Sequence, residues 1–158
     1  MTNRSLRNKH YQTLADFRYY IRRFLHFSEA AARQAGLEPQ HHQLMLAIKG
    51  APGKIGPRIG YLAGRLQIQH HSAVELVDRL AKRGLIRRFR SNEDRRGVHV
   101  KLTAKGERLL KELTLHHHDE LRSAAPDLAG ALKRVIATTR GDSAASARRR
   151  VKRTQGDT

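Results

Sequence analysis

The chain has 158 residues, with 32 Lys and Arg against 14 Asp and Glu and a formal net charge of +18, so it has room for one modest core and its charge points to a polyanionic partner. It contains no cysteine, which excludes a disulfide framework, a thiolate zinc site, a cysteine nucleophile and a thiol redox sensor. The longest apolar run, residues 44–48, is far too short for a membrane span, and the N-terminal stretch lacks the apolar segment of a secretory signal; the expectation is a soluble, cytoplasmic protein without a membrane partner.

Leu14, Phe17, Ile21, Phe24 and Ser28 are spaced three and four apart, with Tyr20 and Leu25 beside them. This spacing predicts one long amphipathic helix over about residues 5–35, stopped by Gly36. Pro39 suits the first position of a second helix, which runs to Lys49. Glycines and prolines at positions 50–57 then make a loop. Two helical patterns follow, 58–66 and 70–83, separated by the turn Gln67, Ile68, Gln69 and closed by Gly84. In the second of these, Ala73, Leu76, Val77 and Leu80 fall on one face, and His70, His71, Val74, Glu75 and Asp78 on the other. A short helix, a three-residue turn and a second helix with a polar outer face is helix-turn-helix spacing.

Residues 85–90 read as a short strand, 91–97 as a charged turn, and 98–102 alternate with period two as a half-buried strand does. The resulting β-hairpin carries Arg95 and Arg96 at its tip, and a hairpin directly after a helix-turn-helix is a wing. Thr103 can cap a helix running to about Ser123, and Pro126 predicts a break before a final helix with Leu128, Leu132, Val135 and Ile136. The fold expected is mainly α with a small β-hairpin: a single domain over 1–139, with a winged helix-turn-helix at 37–105 between helices 5–35 and 104–139. Charge is concentrated in the same block, since residues 54–105 hold 13 Lys/Arg against 4 Asp/Glu, a net of +9. Residues 140–158 hold 6 Lys/Arg against 2 Asp with little that is apolar, and are expected to form a basic, disordered tail.

The stretch from His70 to Leu80 followed by Gly84, Leu85 and Ile86 resembles the MarR-type (multiple antibiotic resistance) winged-helix transcription regulators. So does Asp94-Arg95-Arg96 followed by residues 98–103 and Gly106, and so does the early run Leu14 to Tyr20. The resemblance covers roughly residues 14–136. It implies a homodimer formed through the terminal helices, double-stranded DNA as partner, a pseudo-palindromic operator that is usually repressed, and often release by a small-molecule effector. The sequence departs from the pattern at Glu38, where Ser or Thr commonly precedes the proline, and at Gly64 within the first helix of the motif.

An α-helix fits the major groove, where each base pair presents its own hydrogen-bond pattern. Gln69, His70, His71, Ser72, Val74 and Glu75 would reach base edges and nearby phosphates, with Ser72 or its neighbouring amides taking a phosphate, Val74 touching a thymine methyl and Glu75 accepting from cytosine. For each single side chain the alternative reading is a solvated outer-face residue. Arg95 and Arg96 can enter the narrow minor groove, with Asp94 holding an arginine in place. The resemblance assigns the groove role to Arg96, and the bland alternative is a solvated hairpin tip. Arg58, Arg65, Arg79, Arg87, Arg88, Arg90 and Lys101 are candidates for phosphate neutralisation.

Ten histidines raise the question of a metal, but His116, His117 and His118 are consecutive on a helix and point about 100° apart, so they cannot close on one ion. No metal or cofactor is expected. The resemblance offers His42 and His117 another role, lining a cleft for an anionic aromatic ligand between the dimer helices and the winged domain. No Walker-type loop, dinucleotide fingerprint, nucleophile elbow or metalloprotease motif is present, so an enzyme is not expected. The competing reading is an architectural, nucleoid-type DNA coat with little sequence preference, which the high positive charge would also serve.

Overall fold

The computed structural model describes residues 6–92 and 97–154, with side chains as far as residue 139. In chain order the elements are α1 (Asn8–Gln34), α2 (Pro39–Lys49), α3 (Ile59–Leu66), α4 (His70–Lys82), β1 (Ile86–Arg90), β2 (Val98–Leu102) and α5 (Ala104–Thr154). The chain divides into two compact units, residues 27–118 and the segments on either side of them.

In the central unit, the last turns of α1, the helices α2, α3 and α4, the hairpin and the start of α5 share one core. Leu37, Leu44, Met45, Leu62, Val77, Leu80, Leu85 and Val100 are buried there, with Leu110 and Leu113 of α5. Full burial of each such side chain contributes about 1.5–3 kcal/mol. β1 and β2 pair antiparallel, with Ile86 opposite Leu102, Arg88 opposite Val100 and Phe89 opposite His99. The loop before α3 is stitched to the outer edge of β2: the Val100 N–H donates to the Pro57 carbonyl at 3.0 Å, and Arg58 forms an isolated bridge with His99. That arrangement explains why β2 departs from simple alternation. His99 is buried like Val100, because the loop covers the face that would otherwise meet water.

Two local devices hold the hairpin between α4 and α5. Gly84 ends α4 at φ +67°, a left-handed conformation that glycine adopts without cost, and the Leu85 N–H then reaches back to the Leu80 carbonyl at 3.0 Å. Thr103 caps α5 as its position predicts: its Oγ1 accepts from the Gly106 N–H at 3.1 Å and donates to the Gly84 carbonyl at 2.7 Å. Gly106 itself packs so closely on Leu85 that a Cβ there would collide with the Leu85 carbonyl oxygen.

The predicted break at Pro126 does not occur, and α5 runs through it. Proline removes one helical hydrogen bond, but its position is exposed and the freed carbonyl one turn earlier can be reached by water. The backbone is also helical across 140–154, where composition predicts a disordered tail. Extending an existing helix needs no new nucleus, and alanine and arginine are strong helix formers.

In the outer unit, Tyr19 and Tyr20 meet edge to face at 5.2 Å and Ala131 is fully buried. Tyr11, Leu14, Tyr19, Leu25, Leu132 and Ile136 are all exposed. Among the described residues no helix is long and apolar enough to cross a membrane.

Candidate nucleic-acid interface

The turn between α3 and α4 is set by one strained residue. Gln67 ends α3 at φ 55°, a left-handed conformation that costs a non-glycine residue about 1–2 kcal/mol. The Ile68 N–H donates to the Ala63 carbonyl at 3.1 Å, closing α3, and Gln69 returns to extended backbone to start α4. Over the three residues 67–69 the chain turns, and Leu62 and Ala63 of α3 are buried, as is the apolar stripe Ala73, Leu76, Val77 and Leu80 of α4.

With that stripe inside, the opposite face of α4 is forced outward. Gln69, His70, His71 and Glu75 are exposed, and Ser72 and Val74 are half-buried. The six residues expected to read DNA therefore occupy the first turns of one helix on its solvent side. Glu75 is only loosely held, since its ion pair with Arg79 spans 3.7 Å and both side chains are 65% exposed. Arg90 is exposed at the end of β1, opposite Val98. Asp94, Arg95 and Arg96 lie outside the described residues.

One expected phosphate contact is otherwise engaged. Strand alternation puts Arg88 on the same face as Ile86, towards α4, and its guanidinium lies 2.8 Å from Asp78 and 3.4 Å from the Val74 carbonyl. On the opposite face Phe89 and His99 lie 5.8 Å apart, and the Lys101 ammonium stands 4.6 Å from the Phe89 ring centre. The Asp78 link joins elements ten residues apart in sequence. Its only signal in the sequence is that Arg88 shares strand parity with the buried Ile86.

His42 and His117 are brought together, with ring centroids 4.7 Å apart and both side chains buried. His117 is fixed at both nitrogens, Nδ1 at 2.6 Å from the Leu113 carbonyl and Nε2 at 2.7 Å from Ser28 Oγ, and its ring meets Phe27 edge to face. Burial, and then the neighbouring His117, push the His42 imidazole down to about 4. His41 is also held below its ordinary value, by burial and then by Arg83 and Arg79, with Glu38 acting against them. Nothing in the sequence marks His41 as a core residue. His116 and His118, by contrast, are exposed, as their spacing requires. Among the described residues no three His, Asp or Glu side chains converge as a metal site would need.

Residues 35–97 match the MarR family. Over 64 residues the chain is 33% identical to an uncharacterized HTH-type transcriptional regulator, YsmB, of Bacillus subtilis strain 168; the aligned stretch is 40% of this chain and 44% of that protein, less than half its length. The fold is similar to that of AbsC, a MarR family transcriptional regulator from Streptomyces coelicolor, with a TM-score of 0.67, 21% identity, and coverage of 88% of this chain and 99% of AbsC. It is also similar to a mutant of MarR from E. coli complexed with operator DNA, with a TM-score of 0.59, 18% identity, and coverage of 77% of this chain and 89% of the other. Residues 35–97 thus resemble the MarR family, and the fold is similar to that of MarR family regulators.

Proposed function

We propose that the protein is a sequence-specific DNA-binding transcription regulator that places α4 in the major groove and the hairpin tip, with Arg96, in the adjacent minor groove. The observation that carries this reading is the division of α4 into a fully buried apolar stripe and an exposed first turn bearing Gln69, His70, His71 and Glu75. A helix so anchored presents its side chains without reorganisation, and the block around it carries the excess positive charge that phosphate binding needs. The similarity in fold to an E. coli MarR mutant complexed with operator DNA supports DNA as the partner.

The active species in this reading is a homodimer, because the outer unit leaves Tyr11, Leu14, Tyr19, Leu25, Leu132 and Ile136 exposed to water along its helices. Two-fold symmetry then calls for a pseudo-palindromic operator, and repression follows where that operator overlaps a promoter. The reading assigns no enzymatic step.

The test is a titration of the protein, at near-physiological salt, against DNA from upstream of its own gene with random DNA as competitor. Binding to one fragment that survives competitor and weakens in Arg96→Ala supports the regulator. Equal binding to every fragment, lost as salt rises, favours the architectural reading, for which the net charge of +18 is the specific support.

A further inference from the structure

Across residues 54–105 only four acidic side chains stand among 13 Lys and Arg, and two of them, Glu75 and Asp78, lie on α4. A carboxylate beside a polyanion lowers affinity for every sequence, so Asp78 works against DNA binding unless it serves another end. Its partner shows what that end is. One terminal nitrogen of Arg88 lies 2.8 Å from Asp78 Oδ1 and donates to the Val74 carbonyl at 3.4 Å. The hairpin therefore grips α4 through a side chain and through the backbone one turn earlier. Glu75, by contrast, meets Arg79 of its own helix.

We propose that Asp78 is a specificity-determining residue: it withholds Arg88 from the DNA backbone and makes it a positioning residue between the hairpin and α4. This role rests on the regulator reading and extends it. When one element occupies the major groove and the next the adjacent minor groove, the phosphate backbone that divides the grooves passes between them. Arg88 stands in that gap, on the strand face towards α4, with its side chain 35% exposed. An unpaired guanidinium there would take a phosphate of any sequence and add only non-specific affinity. Paired with Asp78, its charge is cancelled, and the backbone meets a neutral bridge.

What the pair contributes is then geometric. At the base of the hairpin Ile86, Val100 and Leu102 are buried in the core, and the loop before α3 is stitched to β2. Arg88 holds the other side, one strand repeat nearer the tip than Ile86, where it opposes rotation of the hairpin about its base. The reading turn of α4 and the hairpin tip are thereby kept at one spacing, the spacing of adjacent grooves. A partly exposed ion pair is weak, so the effect on affinity is about two- to fivefold for each bound protomer.

The experiment measures affinity of the full chain for DNA from upstream of its own gene and for random DNA, over a series of salt concentrations. The proteins compared are the wild type, Asp78→Ala, Asp78→Ala/Arg88→Ala and Arg88→Lys. Asp78→Ala releases Arg88, so random-DNA affinity should rise and its salt slope steepen by about one for each bound protomer. The double variant keeps the net charge. Its random-DNA affinity and slope should match the wild type, while upstream-DNA affinity falls about two- to fivefold for each bound protomer. Arg88→Lys, which keeps a cation for Asp78, should lie nearer the wild type than the double variant does. An Asp78→Ala slope equal to that of the wild type, or a double variant with the wild-type ratio of affinities, overturns the proposal. So does a double variant that is weakened equally on both DNAs, because the pair then serves stability alone. A double variant whose random-DNA slope is shallower by about one makes Arg88 a phosphate contact and overturns it too. A wild-type ratio near one refutes the regulator reading and this role with it.

Discussion

The Arg88 guanidinium lies 2.8 Å from the Asp78 carboxylate and so fastens the inward face of β1 to the outward flank of α4. The hairpin and the helix proposed to enter adjacent grooves are thereby joined by an ion pair as well as by the core beneath them. The two side chains are 35% and 46% exposed, so the pair is worth about 0.2–1 kcal/mol. Asp78→Ala and Arg88→Ala should each lower stability by up to about 1 kcal/mol, and the double variant should lose less than the sum. Urea unfolding of the four proteins gives the coupling; strictly additive losses would show that the contact is incidental.

Acid should destabilise the protein through His42. The folded imidazole titrates at about 4, below its ordinary value of 6.5, so the unfolded chain takes up the proton first as pH falls. The contribution is fully present above pH 6.5 and shrinks as pH falls towards 4. It amounts to at most about 3 kcal/mol over that window. Unfolding free energies from urea titration at pH 7 and pH 4.5 should therefore differ more in the wild type than in His42→Leu, by roughly that sum at most. Parallel loss in the two proteins would assign the acid sensitivity elsewhere.

Two glycines in helices should respond in opposite directions to alanine. Gly64, in α3, has open space where a Cβ would stand, with nothing within 4 Å, and Gly64→Ala should stabilise by up to about 1 kcal/mol. Gly106→Ala drives a methyl into the Leu85 carbonyl and should cost about 1–3 kcal/mol or more. Thermal melts of the two variants decide the matter, and a stable Gly106→Ala would mean that α5 can shift away from the hairpin freely.

The exposed apolar residues of the outer unit should be needed for self-association. Leu14→Asp and Ile136→Asp, at side chains 50% and 42% exposed, should convert dimer to monomer in sedimentation equilibrium with helical content retained. An unchanged dimer in both would place the interface on another surface.

Much of this architecture is legible in the sequence because it is local. The spacing of Ala73, Leu76, Val77 and Leu80 predicts both the helix and its buried face, and Gly84 and Thr103 mark its stop and the next start through their own backbone chemistry. What stays hidden depends on partners distant in sequence. Pro126 reads as a break, but a helix anchored at the Thr103 cap and the buried Leu110 and Leu113 carries on through it. Arg88 reads as a phosphate ligand because nothing nearby reveals Asp78. His42 and His117 read as cleft residues, and no periodicity could tell that they stack on each other with Ser28 and Phe27 around them.

If the exposed first turns of α4 read sequence, the ratio of affinities for the protein's own operator and for random DNA measures it directly. The comparison is between the wild type and a Gln69→Ala/His71→Ala/Glu75→Ala variant at one salt concentration. The expected ratio is about a thousand or more in the wild type, falling towards one in the variant while random-DNA affinity holds. A wild-type ratio near one, or a ratio unchanged by the three substitutions, would contradict the assignment of α4 as the reading helix.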